Sequence, residues 1–150
     1  MAVLKKVRHW PCEKTNRECK RFVMSNKEII HTDQAPAAIG PYSQAVKIGS
    51  IVYVSGQIPL DPDTMEMVEG GISEQTHRVF KNMSAIALAA GGTLDNAVKI
   101  NISMIDLACF AEVNEIMKEY FNEPFPARAC VAVAALPKGS QIEIESILEV

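Results

Sequence analysis

The chain has 150 residues, 48% of them hydrophobic, with 15 basic against 18 acidic residues for a formal net charge of −3. That length and apolar content fit one globular domain with a single core and leave no room for a second. Seven basic and two acidic residues fall in residues 1–23, so residues 24–150 hold 8 against 16, and so acidic a body is a poor partner for nucleic-acid phosphates.

Residues 1–23 scatter their lysines and arginines without the unbroken apolar stretch of a secretory signal or membrane span. Glu13, Glu18 and the scarcity of serine also argue against a mitochondrial presequence. Met24-Ser25 reads as a start. Residues 1–23 are therefore expected to be a basic extension without a catalytic role, residues 24–150 the folded domain, and the location cytoplasmic. The four cysteines, Cys12, Cys19, Cys109 and Cys130, form no CxxC pair, which points to reduced thiols and to no metal site.

In the body, Val46 and Ile48, the Gly49-Ser50 pair and Ile51 to Val54 predict a hairpin with a glycine-first tight turn. Asp61-Pro62-Asp63-Thr64 is turn-forming. Ser73 is expected to cap a helix whose Thr76, Val79, Phe80, Met83, Ile86, Ala87 and Ala90 follow helical spacing, with Gly91-Gly92 ending it. Val98, Ile100, Ile102 and Met104 alternate with Lys99, Asn101 and Ser103, as in a strand with one buried face. Asp106 is expected to cap a second helix with the apolar stripe Phe110, Val113, Met117, Tyr120 and Phe121, stopped by Pro124. Two apolar runs follow, from Ala127 and from Ile142, separated by Leu136-Pro137-Lys138-Gly139. The order ββαβαββ predicts a single-domain α+β sandwich, one sheet backed by two helices, whose other face needs a cover. The small apolar run Ala127, Ala129 and Val131 to Ala135 also asks for burial. A second copy of the chain would meet both needs, in a dimer or a larger assembly.

The C-terminal third is the one place where the sequence clusters a cation, a thiol and carboxylates. On a strand, Arg128 and Cys130 point one way and Ala129 and Val131 the other, and Glu143 and Glu145 share a face. An arginine fork suits a planar carboxylate, and a glutamate in a partly apolar setting has its pKa raised into a useful acid/base range. Together they suggest chemistry on a small anionic metabolite. Plainer readings fit the same residues: an ion pair of Arg128 with Glu123, Glu143 as the polar side of a half-exposed strand, and Cys130 as core filling, since no histidine motif accompanies it. Tyr42 after Gly40-Pro41, the Ser55-Gly56 pair and Asn114 on the second helix are further candidates for a binding site. His31 and His77 lack partners at metal or triad spacing.

Ala37-Ala38-Ile39-Gly40-Pro41-Tyr42-Ser43-Gln44-Ala45, Val54-Ser55-Gly56-Gln57-Ile58-Pro59, Val113-Asn114, Pro126-Ala127-Arg128, Leu136-Pro137 and Ile142-Glu143-Ile144-Glu145 occur in this order and spacing. From about Met24 onwards the chain thereby resembles the RidA/YjgF family of imine and enamine deaminases, some of whose members are called L-PSP endoribonucleases. The resemblance implies a chorismate-mutase-like homotrimer with sites between subunits, and hydrolysis of 2-aminoacrylate, 2-iminopropanoate and 2-iminobutanoate to 2-keto acids and ammonia. It implies that Arg128 pairs with the substrate carboxylate and that Glu143 positions and activates the water. Tyr42, Ser55, Gly56, Asn114 and the main chain of Cys130 are implied as substrate-binding, with no cofactor, no metal, and no membrane or nucleic-acid partner. Other readings to be weighed are an endoribonuclease that inhibits translation, a small-ligand-binding trimer without turnover and a chaperone-like protein. Met65-Glu66 and Cys109 depart from the family pattern, which often has glycine in that turn and an acidic residue near the second helix start.

Overall fold

The computed structural model describes residues 26–150; the expectations for the extension, Cys12 and Cys19 lie outside the described residues. Eight elements follow in order: β1 (Lys27–Ile30), β2 (Ala45–Ile48), β3 (Ile51–Gln57), α1 (Ile72–Ala89), β4 (Ala97–Met104), α2 (Phe110–Tyr120), β5 (Ala127–Ala132) and β6 (Ile142–Glu149). One six-stranded sheet runs β1-β2-β3-β6-β4-β5. Its neighbours are antiparallel except β4 and β5, which are parallel and joined through α2. A parallel pair needs such a crossover.

The expected order therefore gains one strand. β1 was not foreseen because four residues, Lys27-Glu28-Ile29-Ile30, carry no readable period and precede β2 by a long loop. They pair only with β2, at the sheet edge, with Ile29 exposed. The β2–β3 hairpin turns through Gly49 at φ +62°, while Ser50 stays at negative φ, as a glycine-first turn requires.

Helix α1 begins one residue before the expected cap. Gly71 is the N-cap, and the Glu74 carboxylate accepts from its N–H at 2.8 Å, leaving Ser73 inside the first turn. At the other end Gly91 and Gly92 donate to the carbonyls of Leu88 and Ala87 at 3.0 and 2.9 Å, a Schellman closure. For α2, the Asp106 carboxylate accepts from Ala108 N–H at 2.8 Å and caps a single 3-10 turn, Leu107–Cys109, which leads into the helix.

In β4, Ile100, Ile102 and Met104 are buried as expected, but Val98 is 45% exposed. Ala97 faces Leu148 and Lys99 faces Ile147, so Val98 is the extra residue of a bulge and loses its place in the alternation. The core lies between the sheet and the helices, where Phe80, Met83 and Ile86 of α1 and Val113 of α2 join Ile100 and Ile144 in one buried cluster. Phe80 stacks edge-on against Phe121, centroids 5.5 Å apart.

The loop from β1 to β2 is held by one buried side chain. Gln44 Oε1 accepts from Thr32 N–H at 2.8 Å, and its Nε2 donates among the carbonyls of Thr32, Ala35 and Pro36 at 2.9 to 3.1 Å. Each of those backbone groups loses its partner if the amide is removed. Gln44→Ala should therefore lower the unfolding free energy by about 2–4 kcal/mol in urea titration; a loss under about 0.5 kcal/mol would show that the loop is held by other contacts.

Candidate active site

The central strand β6 decides where the carboxylates point. Ile142, Ile144 and Leu148 turn into the helix-covered core, so Glu143 and Glu145 must face the open side of the sheet. There Glu143 enters a cleft of about 520 Å³ whose walls include Pro36, Tyr42, Ser55, Gly56 and Lys138. Burial pushes the Glu143 carboxyl above the ordinary glutamate range, and the charge of Glu145 adds to the rise. Glu145 Oε1 accepts from Asn101 Nδ2 at 2.8 Å and is thereby tied to the sheet surface.

Gly56 is required by this carboxylate. A Cβ at residue 56 would overlap Glu143 Oε1 and stand 2.9 Å from its Cδ, so any other residue would push the carboxyl out of its place. The close approach expected of this glycine is thus made by the protein's own glutamate. Ser55 donates its hydroxyl to Ser43 C=O at 2.7 Å and its N–H to Gln44 C=O at 3.0 Å, which leaves the hydroxyl oxygen as an acceptor toward the cleft. Tyr42 OH accepts from Ile39 N–H at 3.2 Å and remains half exposed at the mouth.

Arg128 stands elsewhere. In the parallel β4–β5 pair it lies beside Ile100, and Cys130 beside Ile102, so both face the helix side. Helix α2 receives the guanidinium along one face: Asn114 Oδ1 accepts from Nη1, Met117 Sδ lies 3.6 Å from the same nitrogen, and Cζ stands 5.1 Å from the centroid of the Phe110 ring. Among the described residues no carboxylate lies within ion-pair distance of Arg128, which sets aside the pairing with Glu123. A second cleft, of about 370 Å³, has Asn114, Met117, Phe125, Pro126 and Arg128 around it. Cys130 sits beneath, Sγ 3.6 Å from Met104 Sδ; burial raises its pKa and the Arg128 charge opposes that. It is a packed thiol and not an activated nucleophile.

The C-terminal cluster seen in the sequence is thus divided in the fold. Tyr42, Ser55, Gly56 and Glu143 come together on one side of the chain, and Asn114, Arg128 and Cys130 on the other. Glu143 is level with Ser103 and Arg128 with Ile100, with β4 between their strands. Two strand spacings and three residues along the strand separate their Cα atoms by roughly 14 Å, with the side chains on opposite faces. Phe110 and Met117 were readable only as core stripe; their second use, seating Arg128, follows from their spacing with Asn114 on α2.

The topology is that of an α+β domain with an arginine on its edge strand and a half-buried glutamate on the open face of its sheet. The chain belongs to the RidA/YjgF family: the family model described as Endoribonuclease L-PSP matches residues 32–150. The human 2-iminobutanoate/2-iminopropanoate deaminase is 50% identical over 121 residues, covering 81% of this chain and 88% of that protein. RidA from an Antarctic Psychrobacter superposes with a TM-score of 0.80 at 55% identity, covering 82% of this chain and 99% of that one. Escherichia coli TdcF with bound serine superposes at 0.78 and 42% identity, covering 82% and 98%. No described helix is long and apolar enough to cross a membrane, and among the described residues no three His, Cys, Asp or Glu side chains are grouped to hold a metal ion.

The raised Glu143 pKa has a stability consequence of definite sign. A carboxyl whose folded pKa exceeds its unfolded one favours folding when protonated, and that contribution is lost as pH rises through the folded value. Glu143→Gln should accordingly raise Tm at about pH 8, with the difference closing toward about pH 4. A lower Tm for the variant at about pH 8 would mean that the carboxylate is stabilised where it sits.

Proposed function

We propose that the chain hydrolyses 2-imino acids and their enamine tautomers, the class of 2-aminoacrylate, 2-iminopropanoate and 2-iminobutanoate, to 2-keto acids and ammonia, in a homotrimer whose sites lie between subunits. The observation that carries this reading is the Arg128 guanidinium, oriented by Asn114 and Phe110 yet without a carboxylate of its own. A forked cation so presented suits a planar carboxylate ligand. The name of the human relative and the serine bound to TdcF, a small amino acid, point to the same ligand class. Because Arg128 stands on the edge strand and Glu143 on the open face, the β5 edge of one copy set against the open face of its neighbour brings the two into one site. Val131, half exposed and level with Glu143 across that face, belongs to the surface so covered.

The substrate carboxylate docks on Arg128, with the Cys130 main chain and Asn114 beside it, and the neighbour's Tyr42, Ser55 and Gly56 close the pocket. Docking sets the imine carbon beside Glu143, and orientation supplies much of the rate. Glu143 takes a proton from water as the water oxygen bonds to the protonated imine carbon, giving a carbinolamine. The same proton then passes from Glu143 to the amine nitrogen. The carbon–nitrogen bond breaks, the hydroxyl proton moves to Glu143 as the carbonyl forms, and ammonia leaves with that proton as ammonium. An imine carbon is electrophilic in itself, so one acid/base group and a fixed geometry suffice for acceleration, and the proposal calls for no cofactor.

Translation-inhibiting ribonuclease action, ligand binding without turnover and chaperone-like binding gain no comparable support. Residues 26–150 hold 8 basic against 16 acidic side chains, too few cations for extended phosphate contact.

The test is 2-keto acid release when the protein is added to an amino-acid oxidase or dehydratase generating imines in place. The wild type should accelerate release over spontaneous hydrolysis. Arg128→Ala should lose about 100-fold in kcat/KM, Glu143→Ala on the order of 100-fold in kcat, and Cys130→Ala should retain measurable turnover. No acceleration by the wild type with several imino acids would leave a ligand-binding trimer as the better reading, and a loss in Cys130→Ala equal to that of Arg128→Ala would overturn the role of the thiol.

A further inference from the structure

Helix α1 carries three polar side chains along one line, Gln75, Arg78 and Asn82, each bonded to a segment near the Glu143 cleft. Gln75 is buried and accepts at Oε1 from Gln141 N–H at 2.8 Å. Arg78 Nη2 lies 3.1 Å from Asp61 Oδ2, and Oδ1 of that carboxylate accepts from the N–H groups of Asp63 and Thr64 at 3.0 and 3.3 Å. Asn82, fully buried, donates Nδ2 to the carbonyl of Leu60, a residue of the cleft wall, at 2.9 Å. A side-chain amide turned into the core costs desolvation energy unless it is bonded. Gln75 and Asn82 offset part of that cost at Oε1 and Nδ2, while Asn82 Oδ1 is buried without a partner and Arg78 stays partly exposed.

Gln141 is the segment that Gln75 holds. It immediately precedes β6, its N–H bonds Gln75 and its carbonyl accepts from Ile105 N–H at 3.1 Å, so both backbone groups are fixed before the strand starts. Glu143 follows two residues later. On one flank it pairs with Ser103 of β4, while the β3 register jumps from Val54 opposite Ser146 to Gln57 opposite Ile144 and stops there. The start of β6 is thus held by β4 on one side and by Gln75 at its root.

We infer that Gln75 is a positioning residue for Glu143, acting through the Gln141 backbone to fix where the carboxyl enters the cleft. The contact uses only the acceptor oxygen of the side chain, and Gln75 itself lies on the helix side of the sheet, away from any substrate in the cleft. The Arg128 pocket rests on α2 and does not depend on it. The inference rests on the imine-hydrolysis reading only for its rate measurement.

Gln75→Met keeps the side-chain length and removes the acceptor, whereas Gln75→Glu keeps an acceptor oxygen. Two quantities are read in each: kcat and KM with an imine generated in place, and the titration of the Glu143 carboxyl by carbon-13 NMR. In Gln75→Met the other ionisable groups of the cleft, Tyr42, Lys138 and Glu145, are unaltered, so a moved Glu143 midpoint there reports a displaced strand start. Gln75→Met should lower kcat about 10-fold or more with KM within about two-fold, and shift the Glu143 midpoint; Gln75→Glu, which adds a carboxyl of its own, should return kcat toward wild type. A Gln75→Met protein that is less stable but keeps the wild-type kcat and Glu143 midpoint would show the contact to be structural only and overturn the inference. If Gln75→Met does not fold, Gln75→Asn, whose acceptor is drawn back by one methylene, is read for the same two outcomes. A wild type without turnover counts against the deaminase reading, and the NMR titration then decides this inference alone.

Discussion

The alternation of side chains along β6 is the constraint from which the site follows. Burying Ile142, Ile144 and Leu148 against the helices leaves Glu143 no choice of face. Arg128 takes the helix side through the register of the parallel β4–β5 pair, where its partner Ile100 points to the helices. A one-residue slip of β6 would put Ile142, Ile144 and Leu148 in water and Glu143 and Glu145 in the core. The separation of cation from carboxylate therefore follows from the burial of β6 and the register of β4 with β5, and no loop movement within one chain would reverse it.

Each helix supports one of the two groups of polar side chains. Helix α2 seats the guanidinium between an amide oxygen, a thioether and an aromatic ring, fixing its direction without neutralising it. Helix α1 works from behind the sheet, through buried amides that tie down the segments around the Glu143 cleft. The electrostatics differ in the same way. Arg128 is exposed, while Glu143 is half buried beside another carboxylate and holds its proton more tightly than a glutamate in water. Such a pair is suited to a ligand that brings its own carboxylate to one end and needs a proton exchanged at the other.

Much of this was legible in the sequence, for reasons that differ by element. The hairpin, the two helices and β4 announce themselves through local period and turn chemistry, and Arg128, Cys130, Glu143 and Glu145 take the faces that simple alternation assigns. The errors arose where a local signal was weak or had a competitor. Four residues of β1 hold no period. Val98 fits the alternation on paper but is lifted out by a bulge that depends on β6. Ser73 looked like the cap, yet Glu74 reaches back to the Gly71 amide instead. Above all, strand order is non-local: nothing near Arg128 or Glu143 says that β6 inserts between β3 and β4 or that β5 runs parallel to β4. Within one chain the sequence cluster is therefore split between two faces of the sheet. The buried amides Gln44 and Gln75 left no trace, because an amide in an apolar stretch reads the same whether it faces water or pins a loop.

The central claim is that one site takes Arg128 from one copy and Glu143 from another, and mixing two defective proteins tests it most directly. Arg128→Ala and Glu143→Ala, each expected to be about 100-fold impaired alone, are unfolded together in equal amounts and refolded, and imine hydrolysis is measured. In a ring of heterologous contacts, random assembly pairs an intact arginine with an intact glutamate at about a quarter of the sites. The account predicts recovery of about that share of wild-type turnover. A mixture no more active than its separate components, in assemblies shown by native mass spectrometry to contain both variants, would contradict it and return the chemistry to a single chain.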